Sequence, residues 1–358
     1  MSQKKYYFQA DVIRAVAAIG VVILHAFDPV YFRPDFFGGK IWWITHIIAS
    51  LLRSCVPLFI ILSGYLNLGK NRTFEEHWMK TKNRILIPLF SFFGIYILFD
   101  IFTKRLPWKG FETIVEIYDR FNINTQSILY FLIIIFFLYI LTPFLNLLFS
   151  QTKKIQQYFI LGFLALGVIS AITRFTTFSH EEYFYNTYNN WISYIGYYLA
   201  GYYIKNMFVS TKNYNKILLV FCVSLLITIA GSFLMLSNKL FISEYFLIDN
   251  ISYFANYLSI NVIIQSLSLF ALLIHSSTLA KLQKRNWFKK LIKLFAKNSF
   301  GIFLTHILII YFIDFGVDKF FTNNLTVFLL INTFTTLFFA LLLTQLIRKT
   351  SMRIIIGE

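Results

Sequence analysis

The chain has 358 residues, 58% of them hydrophobic and 14% charged, with a mean hydropathy of +0.65 and a formal charge of +17. A soluble chain of this length carries about 25% charged residues, and one folded core cannot hide so much apolar surface behind a wet exterior. A water-soluble globular protein is therefore excluded, and so is nucleic-acid binding, because the basic residues sit in short gaps between apolar stretches.

A spanning helix needs about 20 mostly apolar residues. Ten stretches meet that need, at about 10–28, 41–67, 85–103, 127–149, 157–173, 190–209, 217–236, 251–274, 295–314 and 325–347. The expected fold is an all-α integral membrane protein of about ten transmembrane helices. The fifth stretch is short and the sixth is rich in tyrosine. The first stretch carries Arg14, runs to Asp28 and is followed by no A-x-A-like site, so it is expected to stay as a span and not to be cleaved as a leader.

That first span holds the most informative pattern, Asp11-Val-Ile-Arg14 followed by His25. Eleven positions at 100° each come to about 20° past three full turns, so Arg14 and His25 share one face, roughly 16 Å apart along the axis. Asp11, three residues before Arg14, is placed to orient it. Singly, Arg14 can snorkel to the headgroups and His25 can bond at the outer interface. Together on one face, with the small Ala17 and Ala18 beside them, they mark a shared polar conduit.

The second span carries His46, Arg53, Pro57 and Ser63-Gly64. Arg53 falls near mid-membrane, where a guanidinium must find a partner. Pro57 frees a carbonyl and predicts a kink that a buried polar group can use. Ser63-Gly64 fits close helix packing, and His46, near the outer start of the span, has two readings, a packing role, which is favoured, and a place in the His25 site. The loop that follows ends in Lys80-Thr-Lys82-Asn-Arg84-Ile-Leu-Ile-Pro88. This run suits positive-inside anchoring and equally an anionic nucleotide, and charge alone does not choose between them. The ninth span reads Asn298-Ser299-Phe-Gly301-Ile-Phe-Leu-Thr305-His306 and puts His306 near mid-membrane. An imidazole exchanges protons near neutral pH and is the usual base for activating a hydroxyl.

With the N-terminus placed inside, 22 of the 33 Lys and Arg residues fall at inner ends and 9 in outer loops, with Arg14 and Arg53 inside spans. That asymmetry predicts both termini in the cytoplasm and hence an even number of spans. The outer loops near 29–40, 104–126, 174–189 and 237–250 are too short for a soluble domain, so residues 1–358 read as one membrane domain with no soluble C-terminal domain. Cys55 and Cys222 both lie in apolar stretches and form no CxxC pair. There is no Walker loop, no strand-to-helix G-x-G-x-x-G, no H-E-x-x-H, no soluble G-x-S-x-G elbow and no metal-ligand spacing of histidines.

In this order the fragments resemble the family 3 acyltransferases. Arg14 and His25 resemble the family's R-x10-H opening, and Leu58-Phe-Ile-Ile-Leu-Ser-Gly-Tyr65 its F-F-x-x-S-G-[YF]. Arg84-Ile-Leu-Ile-Pro88 is similar to R-I-x-x-P, Tyr139-Ile-Leu-Thr-Pro143 to Y-L-x-T-P, and Tyr198-Leu-Ala-Gly-Tyr202 to F-x-x-G-Y. Ser299-Phe-Gly-Ile-Phe-Leu-Thr-His306 resembles S-F-x-I-[YF]-L-x-H. The chain departs where members often carry His-Leu-Trp-[FY]-Leu: here the segment is Ile128-Leu-Tyr-Phe-Leu132, which bears on subgroup and acceptor.

The resemblance implies transfer of an acyl group, acetyl first, from cytoplasmic acyl-CoA to a hydroxyl of a cell-envelope carbohydrate. CoA is then a co-substrate, with no bound cofactor and no metal, and the setting is the cytoplasmic membrane of a bacterium. Under this reading Arg14, Lys82 and Arg84 hold the CoA phosphates or polarise the thioester. His25 is the base on the acceptor, His306 its alternative or partner, and Arg53 stabilises the oxyanion. The alternative is an exporter or flippase of a glycan or lipid-linked sugar, which the same polar stripe would serve, although no paired half-repeats appear.

Overall fold

The computed structural model describes residues 7–70, 72–122, 129–149, 151–176, 189–205, 211–241, 252–317 and 325–358. They are helical, with no strand among them. The first span is α1, Phe8–Tyr31, and the second is made of two pieces, α2, Lys40–Leu52, and α3, Cys55–Asn67. A short helix, α4, Phe74–Thr81, then leads through a π-turn at Lys82–Leu86 into α5, Ile87–Phe102. Thr73 caps α4 by accepting from the Glu76 amide at 3.2 Å, which stops the backbone from fraying where the chain re-enters.

After α6, Phe111–Asn122, come α7, Tyr130–Leu148, α8, Lys153–Thr176, and α9, Ile195–Lys205. The chain continues with α10, Thr211–Phe241, α11, Ile260–Ile274, and the short α12, Ser277–Leu282. It closes with α13, Asn286–Val317, and α14, Leu325–Arg348.

Nine helical runs among the described residues are long and apolar enough to cross a bilayer, and the chain is a multi-pass membrane protein. The tyrosine-rich sixth stretch is the exception. It is a five-residue turn, Asn190–Tyr194, leading into the eleven residues of α9. Packing shows that it counts as a crossing. Arg14 of α1 and Lys297 of α13 line one cavity, while further along the same helices the His25 and His306 rings lie 5.3 Å apart. The two helices therefore run parallel. Parallel helices need an odd number of crossings between them, which the nine long runs alone do not provide and α9 does. α9 can be short because it is buried in protein, not lipid. A Cβ on Gly64 of α3 would strike the Tyr198 carbonyl of α9, and one on Gly201 the Ile61 carbonyl. These glycines let the two backbones touch, the use expected of Ser63-Gly64.

Burial divides the bundle. In the most apolar stretch of α13, 72% of residues are buried, and in that of α1, 61%, against 17% in α8 and in α10. The first pair builds the interior and the second faces lipid. The site lies on the first pair.

Candidate active site

On α1 the expected stripe is present, and each of its two polar residues is held by a carboxylate three positions away. Arg14 Nη1 donates to Asp11 Oδ1 at 2.9 Å. His25 Nδ1 meets Asp28 Oδ2 at 2.9 Å. A carboxylate only accepts, so Nδ1 carries a proton, and Nε2 is the nitrogen that holds the lone pair in the neutral ring. The arrangement is a base with its orienting acid built from one helical turn.

On α13, His306 is fully buried and its Nδ1 lies 2.7 Å from the Phe303 carbonyl and 3.2 Å from that of Ile302. Carbonyls also only accept, so again the proton sits on Nδ1. His306 Nε2 has no hydrogen-bond partner among the described residues. The two imidazoles face each other with their rings tilted by 40°. Two imidazoles are thus brought side by side by helices that are far apart in sequence.

Arg53 lies at the joint between α2 and α3, and the interruption falls at Arg53–Ser54 instead of at Pro57. Pro57 has no N–H to serve the carbonyl one turn earlier, so α3 starts afresh, with the Leu58 amide donating to the Ser54 carbonyl at 2.8 Å. The guanidinium is buried over the Tyr31 ring, 5.6 Å from its centre, close to the Tyr257 hydroxyl, and its Nε has no hydrogen-bond partner among the described residues. Tyr130 lies beside Tyr257. Asp28, the carboxylate of the His25 pair, is within electrostatic reach of Arg53. His25 thus stands beside His306, and Asp28 links it to Arg53. His46 stacks on Trp42 at 4.6 Å and bonds the Ile229 carbonyl at 2.9 Å, a packing role.

At the other end of the stripe is a cavity of about 750 Å³ lined by Arg14, Lys70, Arg72, Lys80, Arg84 and Lys297. Asn67 organises this floor. Its carbonyl accepts from Lys80 and, at 3.4 Å, from Arg72, and its amide donates to the Tyr139 hydroxyl at 3.0 Å. Glu358 also lines the cavity and pairs with Arg348. Of the residues assigned to an anion from sequence, Arg14 and Arg84 line the cavity, while Lys82 is exposed and is not among its lining residues. Phe59, Phe131 and Phe303 form the wall toward the histidines, with ring centres 5.0 to 6.3 Å apart and Phe303 5.9 Å from His306.

Sequence reasoning missed Asp28, Tyr31, Tyr130 and Tyr257, and it gave Lys70, Arg72 and Lys297 only an anchoring role. The i,i+3 spacing that placed Asp11 beside Arg14 recurs in Asp28 and His25, so that signal was present. Nothing local marks Tyr257, which reaches Arg53 from the turn that precedes α11. The segment position Ile128 lies outside the described residues. No group of His, Cys, Asp and Glu among the described residues is arranged to hold a metal ion.

A family model described as an acyltransferase domain matches residues 7–345, a region that takes in both the histidine cluster and nearly all of the basic cavity. No curated protein and no solved structure matches the chain.

Proposed function

The chain belongs to that acyltransferase family, and from this premise we propose that it transfers an acyl group, acetyl first, from acyl-CoA to a hydroxyl of a cell-envelope carbohydrate. The observation that carries the reading is the Asp28–His25 pair standing beside His306 on the same α1 face as Arg14 in the basic cavity. One end of the stripe suits a polyphosphate and the other suits proton transfer. Roughly 16 Å of helix separates them, a span for an extended thioester arm.

In this reading the CoA phosphates lie among Arg14, Arg72, Lys80 and Arg84, because several cations on one concave wall attract phosphate and guanidinium groups grip it at two points. The arm passes the wall of Phe59, Phe131 and Phe303 and brings the thioester carbonyl to the histidines. The acceptor hydroxyl gives its proton to His25 Nε2 as its oxygen bonds the carbonyl carbon. Asp28 holds the ring and stabilises the imidazolium that forms. Arg53 meets the negative charge growing on the carbonyl oxygen, an interaction strengthened by the dry surroundings. The carbon–sulfur bond then breaks, and His25 returns the proton to the departing thiolate. The positive-inside rule puts the basic cavity on the cytoplasmic side, where acyl-CoA is made, and the acceptor on the opposite side. The cytoplasmic membrane of a bacterium fits that division.

The test is reconstitution of the purified protein in liposomes with labelled acetyl-CoA and envelope glycans, beside a His25→Ala control. CoA release and labelled glycan that vanish in the control are expected. Absence of both CoA binding and release, with glycans present, would overturn the acyl-CoA reading and leave glycan export in its place.

A further inference from the structure

We infer that Gln265 is a positioning residue that sets Arg53 in the histidine cluster by holding open the interruption between α2 and α3. The inference rests on the acyltransferase reading for its consequence in turnover, and on geometry alone for the joint itself. Gln265 lies on α11 and is fully buried. The two hydrogens of its Nε2 are spread over three acceptors, the Ser50 carbonyl at 3.0 Å, the Leu51 carbonyl at 3.1 Å and Ser54 Oγ at 3.0 Å, so one hydrogen is shared. These acceptors bracket Arg53 on both sides. Its Oε1 lies 2.9 Å from Thr228 Oγ1 of α10, whose one hydrogen is shared with the Ser224 carbonyl at 2.9 Å, and that hydroxyl accepts from Asn261 Nδ2 at 2.8 Å.

The amide orientation is not arbitrary. Backbone carbonyls cannot donate, so the atom facing Ser50 and Leu51 is the nitrogen. Ser50 and Leu51 stand in the last turn of α2, where carbonyls lose their helical partners. No water is at hand in the interior of a membrane protein to replace those partners, and an orphan carbonyl there is costly. The helix has two ways out. It can continue through residues 53 and 54 and satisfy its own carbonyls; the Arg53 amide then keeps its bond to Ala49, 3.0 Å, while α3 swings and changes what faces the Arg53 side chain. Alternatively another helix can supply the donors. Gln265 supplies them, and Thr228 fixes the side chain that does so. Packing alone would be served by an apolar residue of the same length, as at most other positions of α11. The amide is needed only because the joint is open.

Gln265→Met keeps length and removes both halves of the contact. With saturating glycan, kcat should fall on the order of 100-fold, because a displacement of an ångström in a positioned group has that cost. KM for acetyl-CoA should stay within about 2-fold, since the basic cavity is at the other end of the stripe. In an Arg53→Lys background the same change should cost less than about 3-fold, because residues that act as a unit are not additive. A purely structural role predicts instead the same loss in both backgrounds, and that result would overturn the inference, as would an unchanged kcat. Thr228→Val is the milder companion if Gln265→Met does not purify as a monodisperse protein. It should lower kcat in the same direction and show the same collapse beside Arg53→Lys.

A second readout needs no turnover. Cys55 is buried directly past the joint, and Cys222 is exposed on α10. In a Cys222→Ser protein, Gln265→Met should speed modification of Cys55 by a membrane-permeant maleimide at least about 10-fold. An unchanged rate would contradict the claim that Gln265 holds the joint. Wild-type protein that transfers no acyl group to any glycan would sink the acyltransferase reading, and the Cys55 rate would still decide the role of Gln265.

Discussion

The two ends of the α1 stripe solve opposite problems. The basic cavity gathers fixed cations on one wall, with its charge carried by long, partly solvated side chains such as Lys80 and Arg84. The histidine cluster, three turns away, is built from two imidazoles whose Nδ1 hydrogens are already engaged, one by Asp28 and one by backbone carbonyls. A charge is inexpensive where water reaches it and costly where it does not, so binding is assigned to charges and proton transfer to neutral groups. Arg53 is the exception, and it is the residue with the most elaborate surroundings: Tyr31, Tyr257, Asp28 and a helix joint held by a distant amide. The contrast teaches that polar chemistry deep in a membrane protein needs a dedicated set of partners for each charge.

Substitutions at the two ends should separate cleanly in kinetics. The largest effect is expected at His25→Ala, with kcat lowered on the order of 10³-fold or more and acetyl-CoA affinity unchanged within about 2-fold, read by CoA release and equilibrium dialysis. Arg53→Ala should follow, with kcat reduced between about 10² and 10³-fold, the scale of losing one oxyanion donor in a dry site. A fall in CoA affinity without a fall in kcat would move Arg53 to the other end of the comparison. Asp28→Asn should lower kcat on the order of 100-fold, less than the loss of the base itself, because the pair is partly exposed and water can take over some of the contact.

At the cavity end the signature reverses. Arg84→Ala should raise KM for acetyl-CoA about 3- to 10-fold with kcat little changed, since a partly exposed cation contributes modestly to binding. Lys82→Ala should change KM by less than about 2-fold, because Lys82 stands outside the cavity wall. An equal effect at Lys82 and Arg84 would mean that the anion site is a diffuse basic surface and not the cavity.

Much of this division was legible before any coordinates. The facing of Arg14 and His25 follows from helical period, and the inner end of the bundle follows from where the lysines and arginines fall. The weak sixth stretch was required by charge parity, and α9 satisfies the same parity through the parallel run of α1 and α13. The second span was read as kinked at Pro57, but the break falls one turn earlier, and the carbonyls it opens are met by Gln265, more than 200 positions away in the chain, a partner no local pattern announces. The loop at 104–126 hides α6, whose apolar residues recur at helical spacing over too short a stretch to register as a span. It is tied down by Arg120, which bonds the buried Asp100 at 2.8 Å. Tyr257 was illegible for a plainer reason, since a tyrosine near a membrane surface has an ordinary interfacial role until tertiary packing gives it another.

The claim that donor and acceptor reach one cluster from opposite faces is tested most directly by sidedness. Membrane vesicles of known orientation would be given labelled acetyl-CoA on one face and envelope glycan on the other, with each arrangement then reversed. The account predicts labelled glycan only when acetyl-CoA meets the face of the basic cavity and glycan meets the opposite face. Labelling with acetyl-CoA confined to the opposite face, or with both substrates confined to one face of a sealed vesicle, would contradict it.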